Sequence, residues 1–148
     1  MSKKRAVIVG INTYPSAPLR GCVNDAKMVS SMLTNQFGFT NQDQKILFDT
    51  KATTLNIRSA LHWLVQGATP GDTLFFHYSG HGAQVIADNE FEANGYDEIL
   101  CPVDLNWRDK MIRDNELREI FDTVPHGVSL TVLLDCCHSG TALDHNFQ

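Results

Sequence analysis

The chain has 148 residues, of which 43% are hydrophobic and 20% charged, with a formal net charge of −5. That length suits one domain with a sizeable core, and the composition excludes a disordered or highly charged chain. The acidic balance speaks against nucleic acid as a partner, and the longest apolar runs are far too short to span a bilayer.

The N-terminus, Met1-Ser2-Lys3-Lys4-Arg5, is basic, but the apolar stretch after it ends at Ile11, so Ala6–Ile11 reads as a first strand and not a signal peptide. Asn24–Asn35 follows as a helix, with Ala26, Val29, Met32 and Leu33 at helical spacing and Asn24 as its cap. Lys45–Phe48 is a short second strand. Thr54–Gln66 is a second helix, capped by Thr54 and stopped by Gly67. Thr73–Tyr78 is a third strand, opened by the turn Pro70-Gly71-Asp72. Asn89–Asn106 reads as a loop holding a small hairpin, with Ile99-Leu100-Cys101 its apolar piece. Asp114–Phe121 is a third helix and Leu130–Leu134 a fourth strand.

This alternation predicts an α/β fold with right-handed crossovers and a mostly parallel sheet in the order 2-1-3-4. No repeat, low-complexity tract or internal linker interrupts it. Four cysteines occur, Cys22, Cys101, Cys136 and Cys137, and the adjacent pair suits no ordinary disulfide framework. Thiols in a reducing, cytoplasmic compartment are expected.

Two motifs carry the chemistry. His77-Tyr78-Ser79-Gly80-His81-Gly82 follows the apolar run Thr73-Leu74-Phe75-Phe76, and Asp135-Cys136-Cys137-His138-Ser139-Gly140 follows Leu130-Thr131-Val132-Leu133-Leu134. In a parallel sheet the strand C-termini share one edge, where catalytic groups gather. A thiol is mostly protonated at neutral pH, and a neighbouring imidazole brings out the nucleophilic thiolate. The glycines around His81 and after the cysteines permit tight turns and open backbone N–H groups, which stabilise a developing oxyanion by about 3 kcal/mol each. His77 is expected to point away from that edge, and His138 to orient its turn.

Tyr78-Ser79-Gly80-His81-Gly82 and Asp135-Cys136-Cys137-His138-Ser139-Gly140 resemble the large catalytic subunit of metacaspases, over nearly the whole chain from Arg5 to Asp144. The spacing from His81 to Cys137 is close to the roughly 50 residues of caspases, though the caspase pentapeptide around the cysteine is absent. The resemblance implies a three-layer caspase-like fold in which residues 1–148 form a p20-type catalytic domain. It also implies a partner: a small p10-type subunit or C-terminal segment that completes the sheet and cleft. His81 is then the general base and acid, Cys137 the nucleophile, and the Gly82 and Cys137 N–H groups the oxyanion hole. Cys22 and Asp25, in Gly21-Cys22-Val23-Asn24-Asp25, resemble the segment lining the S1 pocket, with Ser79 and Asp135 converging on it. Two carboxylates at a pocket base select Arg or Lys at P1.

Asp97, Asp114, Asn115 and Asp144 match positions that bind an activating Ca²⁺ in calcium-dependent metacaspases, and hard oxygen ligands from separate loops suit that ion. Asn115 stands where the family commonly has a second aspartate, which removes one negative charge. No organic cofactor is implied. The activity implied is endopeptidase cleavage of proteins or peptides after Arg or Lys. Two alternatives stay open: a non-catalytic caspase-fold module acting through protein–protein contacts, and a metal or redox protein using Cys136, Cys137, His138 and His81. Adjacent cysteines are poorly spaced to ligate one zinc.

Overall fold

The computed structural model describes residues 2–86 and 95–137. His138, Ser139, Gly140 and Asp144 lie outside the described residues, and Cys137 is described through its place in a strand. The elements, in chain order, are β1 (Lys4–Gly10), α1 (Cys22–Gln36), β2 (Gln44–Phe48), α2 (Thr54–Val65), β3 (Thr73–Ile86), β4 (Tyr96–Leu100), β5 (Ile112–Arg113), α3 (Asp114–Asp122) and β6 (Ser129–Cys137).

Four strands form a parallel core in the order β2-β1-β3-β6, which is the expected 2-1-3-4 with β6 as its fourth member. The sheet then changes character. The second half of β3, Gly82–Ile86, pairs antiparallel with β4, and β4 pairs antiparallel with β5. The whole is a mixed α/β sheet flanked by helices. β1 is apolar without alternation because both its faces are covered. Val7 and Val9, with Phe76 and Tyr78 of β3, pack against Ile57, Leu61 and Leu64 of α2 and Leu117 and Ile120 of α3. Ala6 and Ile8 pack on the other side with Ala26 and Leu33 of α1 and with Phe39. Three layers result.

Three local expectations are corrected. α1 begins two residues early, and its cap is not Asn24. The Asn12 Oδ1 accepts from the Cys22 and Val23 N–H groups, at 2.9 and 3.4 Å, so a side chain from the loop after β1 satisfies the helix start. At α2 the cap is Thr53, whose hydroxyl accepts from Asn56 N, while Thr54 N and Oγ1 both donate to Asp104 Oδ1. The largest difference is β3, which does not stop at Tyr78. It runs for 14 residues, through the whole histidine motif, because β4 returns alongside its second half. Gly80 and Gly82 therefore sit within a strand and not in a tight turn.

Gly10 fixes where α1 meets the sheet. A Cβ there would lie 2.8 Å from the Ala26 Cβ and 3.1 Å from the Cys22 carbonyl oxygen. Only glycine lets the first turns of α1 close onto the C-terminal end of β1, and this brings Cys22 and Asp25 to the strand edge.

Candidate active site

The register between β3 and β6 pairs His77 with Leu133, Ser79 with Asp135, Gly80 with Cys136 and His81 with Cys137. Paired positions on neighbouring strands lie about 4.8 Å apart. The histidine and the cysteine singled out by sequence thus occupy adjacent lanes at the same level of the sheet.

His81 is fully buried and held from several directions. Its backbone N–H donates to the Tyr14 hydroxyl at 2.9 Å, and its carbonyl accepts from the Tyr78 hydroxyl at 2.6 Å and from Cys101 N at 3.0 Å. The Tyr14 ring packs against the imidazole with centroids 4.4 Å apart, tilted by 51°. Nε2 lies 2.6 Å from the Ala17 carbonyl oxygen. A carbonyl can only accept, so Nε2 carries the hydrogen, and the neutral ring keeps its lone pair on Nδ1.

The two tyrosine hydroxyls are 3.1 Å apart, and each reaches the Cys101 carbonyl, at 2.8 and 2.9 Å. Burial pushes both phenols well above their ordinary range, so both stay protonated as donors. They also explain Gly80, whose Cβ would stand 2.6 Å from the Tyr14 hydroxyl and 2.8 Å from that of Tyr78. Its absent side chain makes room for the hydroxyl pair. Tyr14, Tyr78 and the Ala17 carbonyl were not found by reading the sequence. Tyr78 stood inside the motif, but only the loop after β1, folding back over the sheet, gives these groups a role.

Asp25 in the first turn of α1 and Asp135 near the end of β6 face a common cavity of about 360 Å³, also lined by Met28, His77 and Leu133. Both carboxylate residues are exposed. Ser79 is buried beside Asp135 in the register, and its hydroxyl has no partner. Cys22 is buried against Gly10, one lane further over, where Gly10 pairs with Ser79. The structure therefore joins Asp25 with Asp135 in one cleft and sets Ser79 and Cys22 behind it. It also corrects the reading of His77, which does not turn away. Alternation along β3 puts it on the α1 side, in the same cavity.

The acidic positions are split. Asp97 is buried, and its Oδ2 pairs with Arg113 Nη1 at 2.8 Å. Asp114 opens α3, Asn115 follows half-buried in its first turn, and the β4–β5 pairing brings both near the Asp97 strand. Oδ1 of Asp97 and Oδ1 of Asp114 are buried without hydrogen-bond partners. Orphaned carboxylate oxygens fit a hard cation. Among the described residues, however, no three His, Cys, Asp or Glu side chains cluster closely enough to hold a metal, and Asp144 lies outside them.

An α/β sheet whose parallel core sets a histidine beside a cysteine on neighbouring strands has the architecture of the caspase-like cysteine peptidases. Within that class the chain belongs to the metacaspases: the family model for the metacaspase, peptidase C14 domain matches residues 4–146. It is 43% identical over 152 residues to metacaspase-1 of Arabidopsis thaliana, covering 98% of this chain and 41% of that protein. It is 42% identical over 149 residues to metacaspase-1 of Emericella nidulans, covering 96% and 37%. A Geobacter sulfurreducens protein of known crystal structure matches with a TM-score of 0.77 at 27% identity, over 98% of this chain and 54% of that one. The chain thus spans about two fifths of the length of these curated relatives.

Proposed function

We propose that this chain supplies the catalytic part of a cysteine endopeptidase that cuts after Arg or Lys. The observation carrying this reading is the pairing of His81 with Cys137 across β3 and β6, with the Ala17 carbonyl accepting from Nε2 and leaving Nδ1 as the basic nitrogen of the neutral ring. Cys137 gives its proton to His81 and attacks the scissile carbonyl. The Gly82 and Cys137 N–H groups receive the oxyanion. His81 then protonates the leaving amine, and water releases the acyl-enzyme. Asp25 and Asp135, opening into one cavity, supply the negative charge that a P1 guanidinium or ammonium requires.

Calcium activation is part of the proposal. Asp97, Asp114, Asn115 and Asp144 would hold the ion, whose charge would relieve the carboxylate repulsion between loops. β6 exposes Val132, Leu133 and Leu134 at 39–44%, an apolar surface suited to a small p10-type subunit or C-terminal segment continuing the sheet. No described helix is long and apolar enough to cross a membrane. We place the protein in the cytoplasm, where a thiol nucleophile stays reduced.

The test uses the full-length protein with fluorogenic peptides ending in Arg, Lys or Asp, with and without millimolar Ca²⁺. Turnover is expected on Arg and Lys only, and more of it with calcium. Cys137→Ala should abolish turnover and leave the melting temperature unchanged, whereas Cys136→Ala should retain it. No turnover on any of these peptides would favour a non-catalytic caspase-fold module. The reverse result for the two cysteines would overturn the choice of nucleophile.

A further inference from the structure

His77 is 2% exposed; the Leu133 backbone on β6 is a hydrogen-bonding group within reach of its ring, though not in good geometry, and this leaves at least one ring nitrogen without a partner. Such an orphaned atom is uncommon in a folded chain and points to a group that is absent or has yet to arrive. The surroundings say which kind. α1 contributes Asp25, Met28 and Val29 to the cavity; β6 contributes Leu133 and Asp135. On the β1 side the residue opposite is Ile8, which brings no charge. His77 thus lies beside the two carboxylates that the proposed function assigns to the P1 pocket. Packing alone would be served as well by leucine or phenylalanine, and the histidine adds only its nitrogens.

We propose that His77 is the floor of the P1 pocket, where it accepts a hydrogen bond from the P1 guanidinium and sets a preference for Arg over Lys. This rests on the basic-P1 reading above and deepens it. Burial favours the neutral ring, which offers one lone pair at neutral pH. A guanidinium carries five N–H donors in a planar fork, enough to engage Asp25, Asp135 and the imidazole at once. An ammonium presents three donors from a single atom and fits that triangle less well. Both nitrogens are closed to solvent in the free chain, so the entering side chain must displace what covers the ring to meet the lone pair.

The experiment measures kcat and KM for matched Arg and Lys peptides on the full-length protein and on His77→Leu. A calorimetric Kd for an Arg-terminated peptide on Cys137→Ala and on Cys137→Ala/His77→Leu accompanies it. His77→Leu is expected to raise KM for Arg about tenfold, with kcat within about twofold and a smaller effect on Lys, so that the Arg:Lys ratio falls. The Kd should weaken by the same factor. An unchanged Arg:Lys ratio in a folded His77→Leu protein overturns the role of His77, as does an equal loss of kcat on both peptides. Should the leucine variant fail to fold, His77→Gln and His77→Phe make the same comparison: Gln should keep the ratio and Phe lose it, and equal ratios in the two overturn the proposal. Failure of the unmutated protein to cleave after either basic residue is a different result, because it removes the basic-P1 reading itself.

Discussion

At Gly80 a single missing side chain joins packing to chemistry. The space its Cβ would occupy holds the Tyr14 and Tyr78 hydroxyls, and these bond the backbone of His81. Gly80→Ala should therefore destabilise the protein by about 1–3 kcal/mol through overpacking and lower kcat by displacing His81. Gly21→Ala is the control, because nothing lies within 4 Å of a Cβ there; it should cost no more than about 1 kcal/mol. Denaturant melts and peptide turnover on both variants check the pair, and equal melts would remove the packing argument. The sequence made His81 and Cys137 visible because their chemistry is written in the motifs. It misread Gly80 as a turn because the reason for that glycine is Tyr14, far away in the chain. It misread His77 because orientation within a strand depends on which face α1 covers.

The elements were legible where a core demanded them and less so where a distant side chain set their ends. β1, β2, α1, α2 and α3 stand within about two residues of their expected places, since each buries a periodic or continuous apolar run. β5 went unseen because two residues carry no period. β3 was cut short because its second half is defined by pairing with β4, a partner beyond the motif. The start of α1 was misassigned for a similar reason: its cap, Asn12, comes from outside the helix, and that loop is pinned in turn by Asp49 Oδ1, which accepts from Asn12 N at 2.7 Å and Thr13 N at 3.1 Å. Asn12→Ala removes the cap and should cost about 1 kcal/mol. The consequence reaches the cleft, because Asp25 rides on the first turn of α1. A higher KM for Arg peptides, with kcat little changed, is the expected result. A variant with the stability loss and unchanged KM would show that the first turn holds its place without Asn12.

Across the whole molecule the same layers that bury the core also bury ionisable groups, and this gives stability a direction in pH. In the fold His77 is held below its ordinary value of 6.5, chiefly by burial, with Asp135, then Asp25 and the Leu133 backbone pulling the other way. The unfolded chain therefore takes up this proton at a higher pH than the folded one does. The contribution is fully present above 6.5, and it is lost as pH falls through the lower folded value. Asp72, which accepts from Lys3 N and Thr69 N at the mouth of β3, lies below its ordinary 3.8, so its contribution is lost only in stronger acid. The two windows open at different pH, one below 6.5 and the other below 3.8. Denaturation midpoints of the full-length protein should be insensitive to His77 above pH 6.5 and decline below it, and His77→Leu should flatten that decline while leaving the fall at lower pH in place. If the leucine variant loses stability along the same curve as the unmutated protein, the buried imidazole is not the group that sets the acid limit of this fold.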